Sequence, residues 1–458
     1  MSRPSELEDA PAEATVPGIP SDAPATAQPP ELAFEPDILA AFAVDAEAAG
    51  LWGESRAVKL TYLVVTSRLL ERPVSLALKG PSAAGKSYLL EAVLGFFPSS
   101  AYYALSAMSE RALAYDREPL QHRMLLLYEA AGLGSELATY LMRSLLSEGR
   151  VRYTTVEKTR SGLQPRTIER EGPTGLITTT TAVKLHPENE TRLLSLTIAD
   201  SPEQTKAVLL AQARPALDVG PLREPWQDLQ TYLESANHAT VIPYAEPLAE
   251  QIPPVAVRLR RDFPALLALI RAHALLHQET RPRDTDGRVV ATLADYAAVR
   301  ELVSDLIADG AEQAVPESVR QTVAAVRRCA GGSSREVTVQ EVARTLGIDK
   351  SAASRRVRVA LDRGYLENLE TQRGRPLRLV LGDPLPEDQV ILPEPERLHG
   401  CTRAEGDQEQ PAPPPDGRTA GTSSGHGVSP TDEADDPQAP DWLQAPPPAP
   451  EVYAPWLQ

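Results

Sequence analysis

The stretch Gly80-Pro81-Ser82-Ala83-Ala84-Gly85-Lys86-Ser87 matches G-x-x-x-x-G-K-[ST] at every fixed position. In this pattern the glycines let the backbone curl so that its N–H groups point inward at a phosphate chain. Lys86 brings a mobile positive charge to the β/γ-phosphates, and Ser87 offers a hydroxyl to Mg²⁺. Tyr88, the next residue, joins these as a candidate nucleotide contact. The flanks supply the context that the motif needs. Val74-Ser75-Leu76-Ala77-Leu78 is a short apolar run fit for a buried parallel strand, and Ser87 to Leu94 continues as a helix whose N-terminus faces the anion. The plainer alternative is a surface Gly/Ser loop ahead of a helix.

The chain has 458 residues, enough for two or three domains, and a formal net charge of −17. That charge is unevenly placed. Residues 1–35 carry a net −6 and residues 386–458 a net −11, which leaves 36–385 neutral. The acidic balance is therefore a property of the tails and does not argue against nucleic-acid binding by the core. Two cysteines, Cys329 and Cys401, form neither a disulfide framework nor a metal-ligand spacing. No apolar run reaches the ~18 residues of a membrane span, and no signal-peptide pattern opens the chain. The expectation is a soluble cytoplasmic protein with no membrane partner.

Composition divides the chain into five parts. Residues 1–35, rich in Pro, Ala and Glu, are expected to be disordered. An α/β core with N-terminal helices follows over 36–205, then a helical region over 206–314, a smaller domain over 315–385, and a second acidic, Pro-rich disordered tail over 386–458. In that tail Trp442-Leu443-Gln444 recurs as Trp456-Leu457-Gln458, either an accident of composition or a docking motif for a partner groove. Within the core, Met124 to Tyr128 is a second apolar strand ending at Glu129. Leu137 to Ser147 has helical period, and Leu176 to Thr181 is a strand rich in β-branched residues. Val151–Glu157 and Arg166–Glu171 read as two strands joined by a connection over 159–165, with Gly162 and Pro165 as its turn signals.

The segment 315–385 has its own signature. Val339 to Leu346, Gly347 and Ser351 to Leu361 have helix-turn-helix spacing, with Gly347 permitting the tight turn. Two short strands, 364–369 and 377–381, then flank the basic loop Gln372-Arg373-Gly374-Arg375-Pro376, as in a winged helix. Thirteen Lys/Arg against eight Asp/Glu over 316–385 give a local +5 inside an acidic chain. Lys350, Ser354, Arg355, Arg356 and Arg358 on the second helix, with Arg373 and Arg375 on the wing, are the candidate contacts to duplex DNA. The alternative is a protein-interaction module with a solvated charged face.

The combined pattern, over roughly 36–385, resembles the AAA+ ATPases. More narrowly it is similar to the minichromosome-maintenance-like (MCM-like) helicases and the replication ATPases of phages and mobile elements. The resemblance implies ATP and Mg²⁺ as cofactors. Leu125-Leu126-Leu127-Tyr128-Glu129 resembles Walker B, whose final carboxylate orients the attacking water; that implies Glu129 as catalytic and, with Ser87, as a metal contact. The family usually carries Asp where this chain has Tyr128, so either Ser87 and waters suffice for the metal or hydrolysis is weakened. Thr179 and Thr180 resemble sensor 1. Arg192 resembles the arginine finger that one subunit offers to its neighbour's nucleotide, against the alternative of a surface arginine. Arg258, Arg260 and Arg261 are candidates for sensor 2, with no choice among them. The hairpin at 151–171 resembles the family's pore hairpin, which implies single-stranded DNA near Lys158, Arg160 and Arg166, or else a solvated hairpin end.

These expectations point to a DNA-dependent ATPase, helicase or replication initiator working as a homo-oligomer such as a hexameric ring. The alternative is an ATP-dependent DNA-binding switch without motor activity.

Overall fold

The computed structural model describes residues 28–106, 112–128, 136–148, 150–159, 162–181, 192–198, 201–213, 218–331, 335–372 and 374–399. Glu129, Arg160, Arg373 and both Trp-Leu-Gln repeats lie outside the described residues.

Two helices, α1 (Ile38–Ala48) and α2 (Ser55–Thr66), lead into strand β1 (Leu76–Lys79) and the helix α3 (Lys86–Leu94). Next come β2 (Tyr102–Leu105), α4 (Ala112–Tyr115), β3 (Arg123–Leu127) and α5 (Glu136–Glu148). A hairpin, β4 (Arg150–Thr159) with β5 (Gly162–Glu171), precedes β6 (Thr174–Thr180) and β7 (Leu194–Thr197). The fold is mixed α/β, with a five-stranded parallel sheet in the order β2-β3-β6-β1-β7. Alternation along the strands divides its side chains between two cores. Leu76, Leu78, Met124, Leu126 and Ile177 face a large core shared with α1, α2 and α3, whereas Ala77, Leu125, Leu127 and Leu176 face a smaller one with Leu113, Leu141 and Leu145. Both faces are covered, which is why β1 and β6 are buried at every position.

The hairpin stands apart from this sheet. Its strands run further than the sequence indicated: the register continues to Thr159↔Gly162, so the connection shrinks to residues 160–161. Pro165, read as a turn residue, lies in β5 opposite Val156. A two-stranded hairpin has only edge strands, and there a residue without an N–H is tolerated. Gly162, at φ +109°, makes the sharp entry instead.

A helical region follows: α6 (Pro202–Gln212), α7 (Gly220–Ser235), α8 (Ala245–Gln251), α9 (Leu259–Leu276) and α10 (Leu293–Gln313), with the short parallel pair β8 (Thr240–Val241) and β9 (Val289–Val290). The expected boundary at 205/206 falls inside α6. Asp295, in the first turn of α10, takes hydrogen bonds from Arg281 at 2.7 Å and pairs with His273 of α9 at 2.7 Å. Burial works against its charge, but these partners override it and hold the carboxyl below the usual range.

The C-terminal module has a core of its own, including Val319, Val323, Val342, Val357, Leu366 and Leu379. It contains α11 (Glu317–Ala330), α12 (Val339–Leu346), α13 (Lys350–Asp362) and the antiparallel pair β10 (Leu366–Asn368) and β11 (Leu379–Leu381). Gly347 adopts φ +65° between α12 and α13, the left-handed conformation the turn requires. The strand expected ahead of α12 reduces to one bridge, Val337↔Leu379.

Two tail boundaries are corrected. Residues 386–399 form a strap, not the start of a disordered tail. Ile391, Leu392 and Leu398 are buried in the large core, Tyr296 donates to the Pro393 carbonyl at 2.6 Å, and Gln251 donates to the Arg397 carbonyl at 3.1 Å. On its other side the strap holds α11, through Arg320–Glu387 at 3.6 Å and Arg327–Asp388 at 2.5 Å. At the N-terminus, Glu31–Phe34 forms a 3-10 turn that buries Ala33 in the same large core. In both places a few apolar residues find a core despite a Pro-rich composition. Among the described residues no helix is long and apolar enough to cross a membrane.

Candidate functional site

The phosphate loop leaves the carboxyl end of β1 and enters α3 through Gly85, which sits at φ +80° as the N-cap. No side chain caps α3, so the N–H groups of its first turn are left for another acceptor. Pro81, Ser82, Ala83, Gly85, Ser87 and Tyr88 are exposed, while Gly80 and Ala84 are half-buried. Lys86 is only 8% exposed, and its Nζ donates to the carbonyls of Gly80 at 2.9 Å and Pro81 at 2.6 Å. These donors fit a polyphosphate: first-turn N–H groups, one ammonium and the Ser87 hydroxyl converge on one loop. For Mg²⁺ the fit is thinner. Ser87 offers an exposed hydroxyl ligand. Tyr128 half-buries against the large core, and burial, with Glu91 and Tyr102 nearby, pushes its phenol above the usual tyrosine range. A phenol offers a cation far less than a carboxylate would.

Beside the loop lie Thr179 and Thr180, paired in register with Leu78 and Lys79 and both buried. The sheet therefore brings the expected sensor threonines to the same carboxyl edge as the phosphate loop, the edge where parallel α/β sheets bind ligands.

Arg192 lies elsewhere. It precedes β7 by two residues, and β7 starts level with the start of β1, Leu194 opposite Leu76. Arg192 is thus at the amino edge of the strands, with the length of β1, about 10 Å, between it and the loop. Its guanidinium reaches Ser147 Oγ, and its Nε has no hydrogen-bond partner among the described residues. Burial disfavours its charge, and repulsion from Arg261 and Arg143 adds to that. Sequence reasoning missed Arg143: it sits on α5 with no motif around it. Of the sensor 2 candidates, Arg258 is occupied structurally. It bonds the buried Asp262 at 3.2 Å, and Gly310 of α10 passes so close that a Cβ there would meet Arg258 Nε at 2.7 Å. Arg260 and Arg261 are exposed, and Arg261 is the one that shares the Arg192 cluster. The i,i+4 spacing of Arg258 and Asp262 was the available signal.

On the hairpin, Lys158 is exposed near the outer end, but Arg166 is not at the tip. It sits opposite Thr155 and bonds Glu157 at 3.0 Å and 3.1 Å. At the root, Arg170 is buried and donates to the carbonyls of Leu113, Asp116 and Glu118, while Tyr153 meets Tyr115 edge-on at 6.2 Å. On α13, Lys350, Ser354, Arg355 and Arg358 are exposed, as is Arg375 on the following loop. Arg356 instead turns to α11, donating to Gln321 at 3.2 Å.

No family model matches this chain, and no curated protein matches it. Several solved structures are similar in fold. A full-length MCM homologue from Methanopyrus kandleri shares 16% identity over 60% of this chain, with a TM-score of 0.38, and the match spans 59% of that protein. A RuvB variant from Thermotoga maritima shares 14% over 72% of this chain and 92% of its own, with a TM-score of 0.25. Drosophila ORC bound to DNA shares 12% over 86% of this chain and 96% of its own, with a TM-score of 0.24. The case for this chain's chemistry rests on its own residues.

Proposed function

We propose that the chain is a DNA-associated AAA+ ATPase that binds ATP and Mg²⁺ at residues 80–88 and hydrolyses ATP between subunits of a homo-oligomer. One observation carries this reading: the phosphate loop and Arg192 occupy opposite edges of one sheet. An arginine so placed cannot reach phosphates on its own loop, yet it sits among Arg143 and Arg261 with an Nε that has no partner among the described residues. A polyphosphate on an adjoining subunit would relieve that repulsion, and Arg192 would stabilise charge developing on the transferred phosphoryl group. In this reading Lys86 and the α3 N-terminus bind and orient the phosphates, Thr179 contacts the terminal phosphate, and Glu129 orients the water. Mg²⁺, when bound at Ser87, would neutralise phosphate charge. The C-terminal module acts as a winged helix that holds duplex DNA with Lys350, Ser354, Arg355, Arg358, Arg373 and Arg375. The hairpin meets a single strand, and the activity is that of a helicase, translocase or replication initiator.

The test is complementation. Lys86→Ala and Arg192→Ala subunits should each be inactive alone and regain part of the ATP turnover when mixed, because a mixed pair contains one intact site. Mixtures as dead as their parts would sink the shared site. ATP turnover unchanged by any DNA that demonstrably binds would sink the motor.

Tyr128 favours a second reading, an ATP-dependent switch. With no carboxylate beside Glu129, turnover is slow and binding itself does the work. Strand displacement on a forked substrate separates the two, since a switch gives none.

A further inference from the structure

One buried arginine reaches from the helical region to the backbone beside Arg192. Arg258 stands just ahead of α9, and its side chain is 8% exposed, with that of Asp262 at 6%. Three contacts fix its guanidinium. Nε donates to Asp262 at 3.2 Å, one Nη donates to the carbonyl of Leu193 at 3.4 Å, and Gly310 of α10 packs against the group. The closeness of Gly310 is strict: a Cβ there would lie 2.7 Å from Nε and 3.0 Å from Cζ. A planar fork of donors lets one side chain serve a carboxylate and a carbonyl together. Asp262 offsets the charge that would otherwise be buried alone.

Leu193 follows Arg192 directly and is buried in the smaller core. The segment is therefore held from two directions, at the side chain by Ser147 of α5 and at the backbone by Arg258. Arg192 needs such a hold. Arg143 and Arg261 repel it, and a long side chain among like charges swings toward water unless its root is fixed. We propose that Arg258 is a positioning residue for Arg192. It fixes the Leu193 carbonyl, and through it the direction in which Arg192 points from the amino edge of the sheet toward an adjoining subunit. Arg258 acts through this backbone contact and touches no nucleotide. Gly310 belongs to the same device, because a side chain there would push the guanidinium off Leu193. The proposal rests on the shared-site reading above, and it assigns Arg258 to the subunit that lends Arg192 rather than to the one that holds the phosphates.

The test uses full-length subunits, singly and in pairs. Gly310→Ala keeps both charges and removes only the room for Arg258, and alanine is the better helix former. Alone it should turn over ATP about 100-fold more slowly, the cost of a misplacement of roughly 1 Å. Mixed with Lys86→Ala it should regain turnover, since one interface of that pair joins an intact phosphate loop to a correctly held Arg192. Mixed with Arg192→Ala it should stay inactive, since neither subunit supplies a placed arginine. Arg258→Met with Asp262→Val, which replaces the buried pair by carbon, should give the same split. At a dilution where subunits are separate, a labelled non-hydrolysable ATP analogue should bind Gly310→Ala as it binds the wild type. Rescue by Arg192→Ala instead of Lys86→Ala, or weakened analogue binding, puts Arg258 at its own subunit's nucleotide and overturns the proposal. Failure with both partners makes the contact merely structural, and full activity alone makes it idle; either result overturns it too. The mixture of Lys86→Ala with Arg192→Ala runs alongside. If it regains turnover while the Gly310→Ala results fail, the role of Arg258 falls and the shared site stands; if it stays inactive, both fall.

Discussion

The hairpin and the C-terminal module are both expected to meet DNA, and they distribute charge and carbon in opposite ways. The module gathers most of its apolar side chains into a core of its own, with Val359, Leu369 and Leu381 left partly outside it, and leaves Lys350, Arg355 and Arg358 open to solvent. The hairpin pairs Arg152 and Arg166 with glutamates and exposes Val156 and Leu163. They are also held differently. Among the described residues the hairpin is fixed near its root, by Arg170, Val151 and Tyr153, whereas the module is fastened by the strap and by Tyr365, which donates to the Val255 carbonyl at 2.6 Å. An open cationic face suits a duplex whose backbone is the main attraction. A finger that pairs two of its arginines and ends in exposed apolar side chains suits a target whose bases are already exposed.

The largest effect that would break this contrast concerns the fastening. In the full-length chain, Ile391→Ala with Leu392→Ala removes two side chains buried in the large core, and at 2–5 kcal/mol each should lower unfolding stability by about 5 kcal/mol. Urea unfolding measures it, and an unchanged midpoint would mean that the strap does not hold the module to the body. Next comes the cationic face. Arg355→Ala with Arg358→Ala should reduce the salt slope of duplex binding by about 1.8, so the loss of affinity between 50 and 200 mM salt becomes about tenfold smaller. A fluorescence titration at the two salts reads this directly; an unchanged slope removes both arginines from the interface. The smallest effect would make the hairpin resemble the module. Glu157→Gln releases Arg166, and single-strand binding should then steepen by about 0.7 in slope, roughly 2.5-fold over the same salt range. A slope that does not move would show that Arg166 is remote from the strand even when uncompensated.

Much of the nucleotide edge was legible because its geometry is forced on particular residue types. A left-handed N-cap at 85 calls for glycine, and a strand covered on both faces reads as an apolar run. The hairpin's length was not legible, because Gly162 and Pro165 carry turn propensity wherever they stand, and only pairing to β4 reveals them as strand. The strap was hidden by Pro384, Pro386, Pro393 and Pro395, whose composition outweighs the adjacent Ile391 and Leu392 that anchor it. The arginines show the same limit. Nothing in the local sequence distinguishes Arg356, turned to Gln321, from Arg355, which faces solvent. Their roles depend on which helix lies alongside, and that is decided by packing between distant segments.

The resting position of Lys86 has a consequence for what the loop admits. An ammonium has three N–H donors and no acceptor, and two of these are given to the carbonyls of Gly80 and Pro81. An incoming anion can take the third directly, and gains more of the lysine only by displacing a carbonyl. A lone phosphate oxygen exchanges like for like. A chain of phosphates, which also meets the uncapped first turn of α3, gains more than it displaces. If the loop binds phosphates as proposed, it therefore favours a chain of them over a single one, and Lys86, only 8% exposed, keeps most of its charge turned inward from the surface.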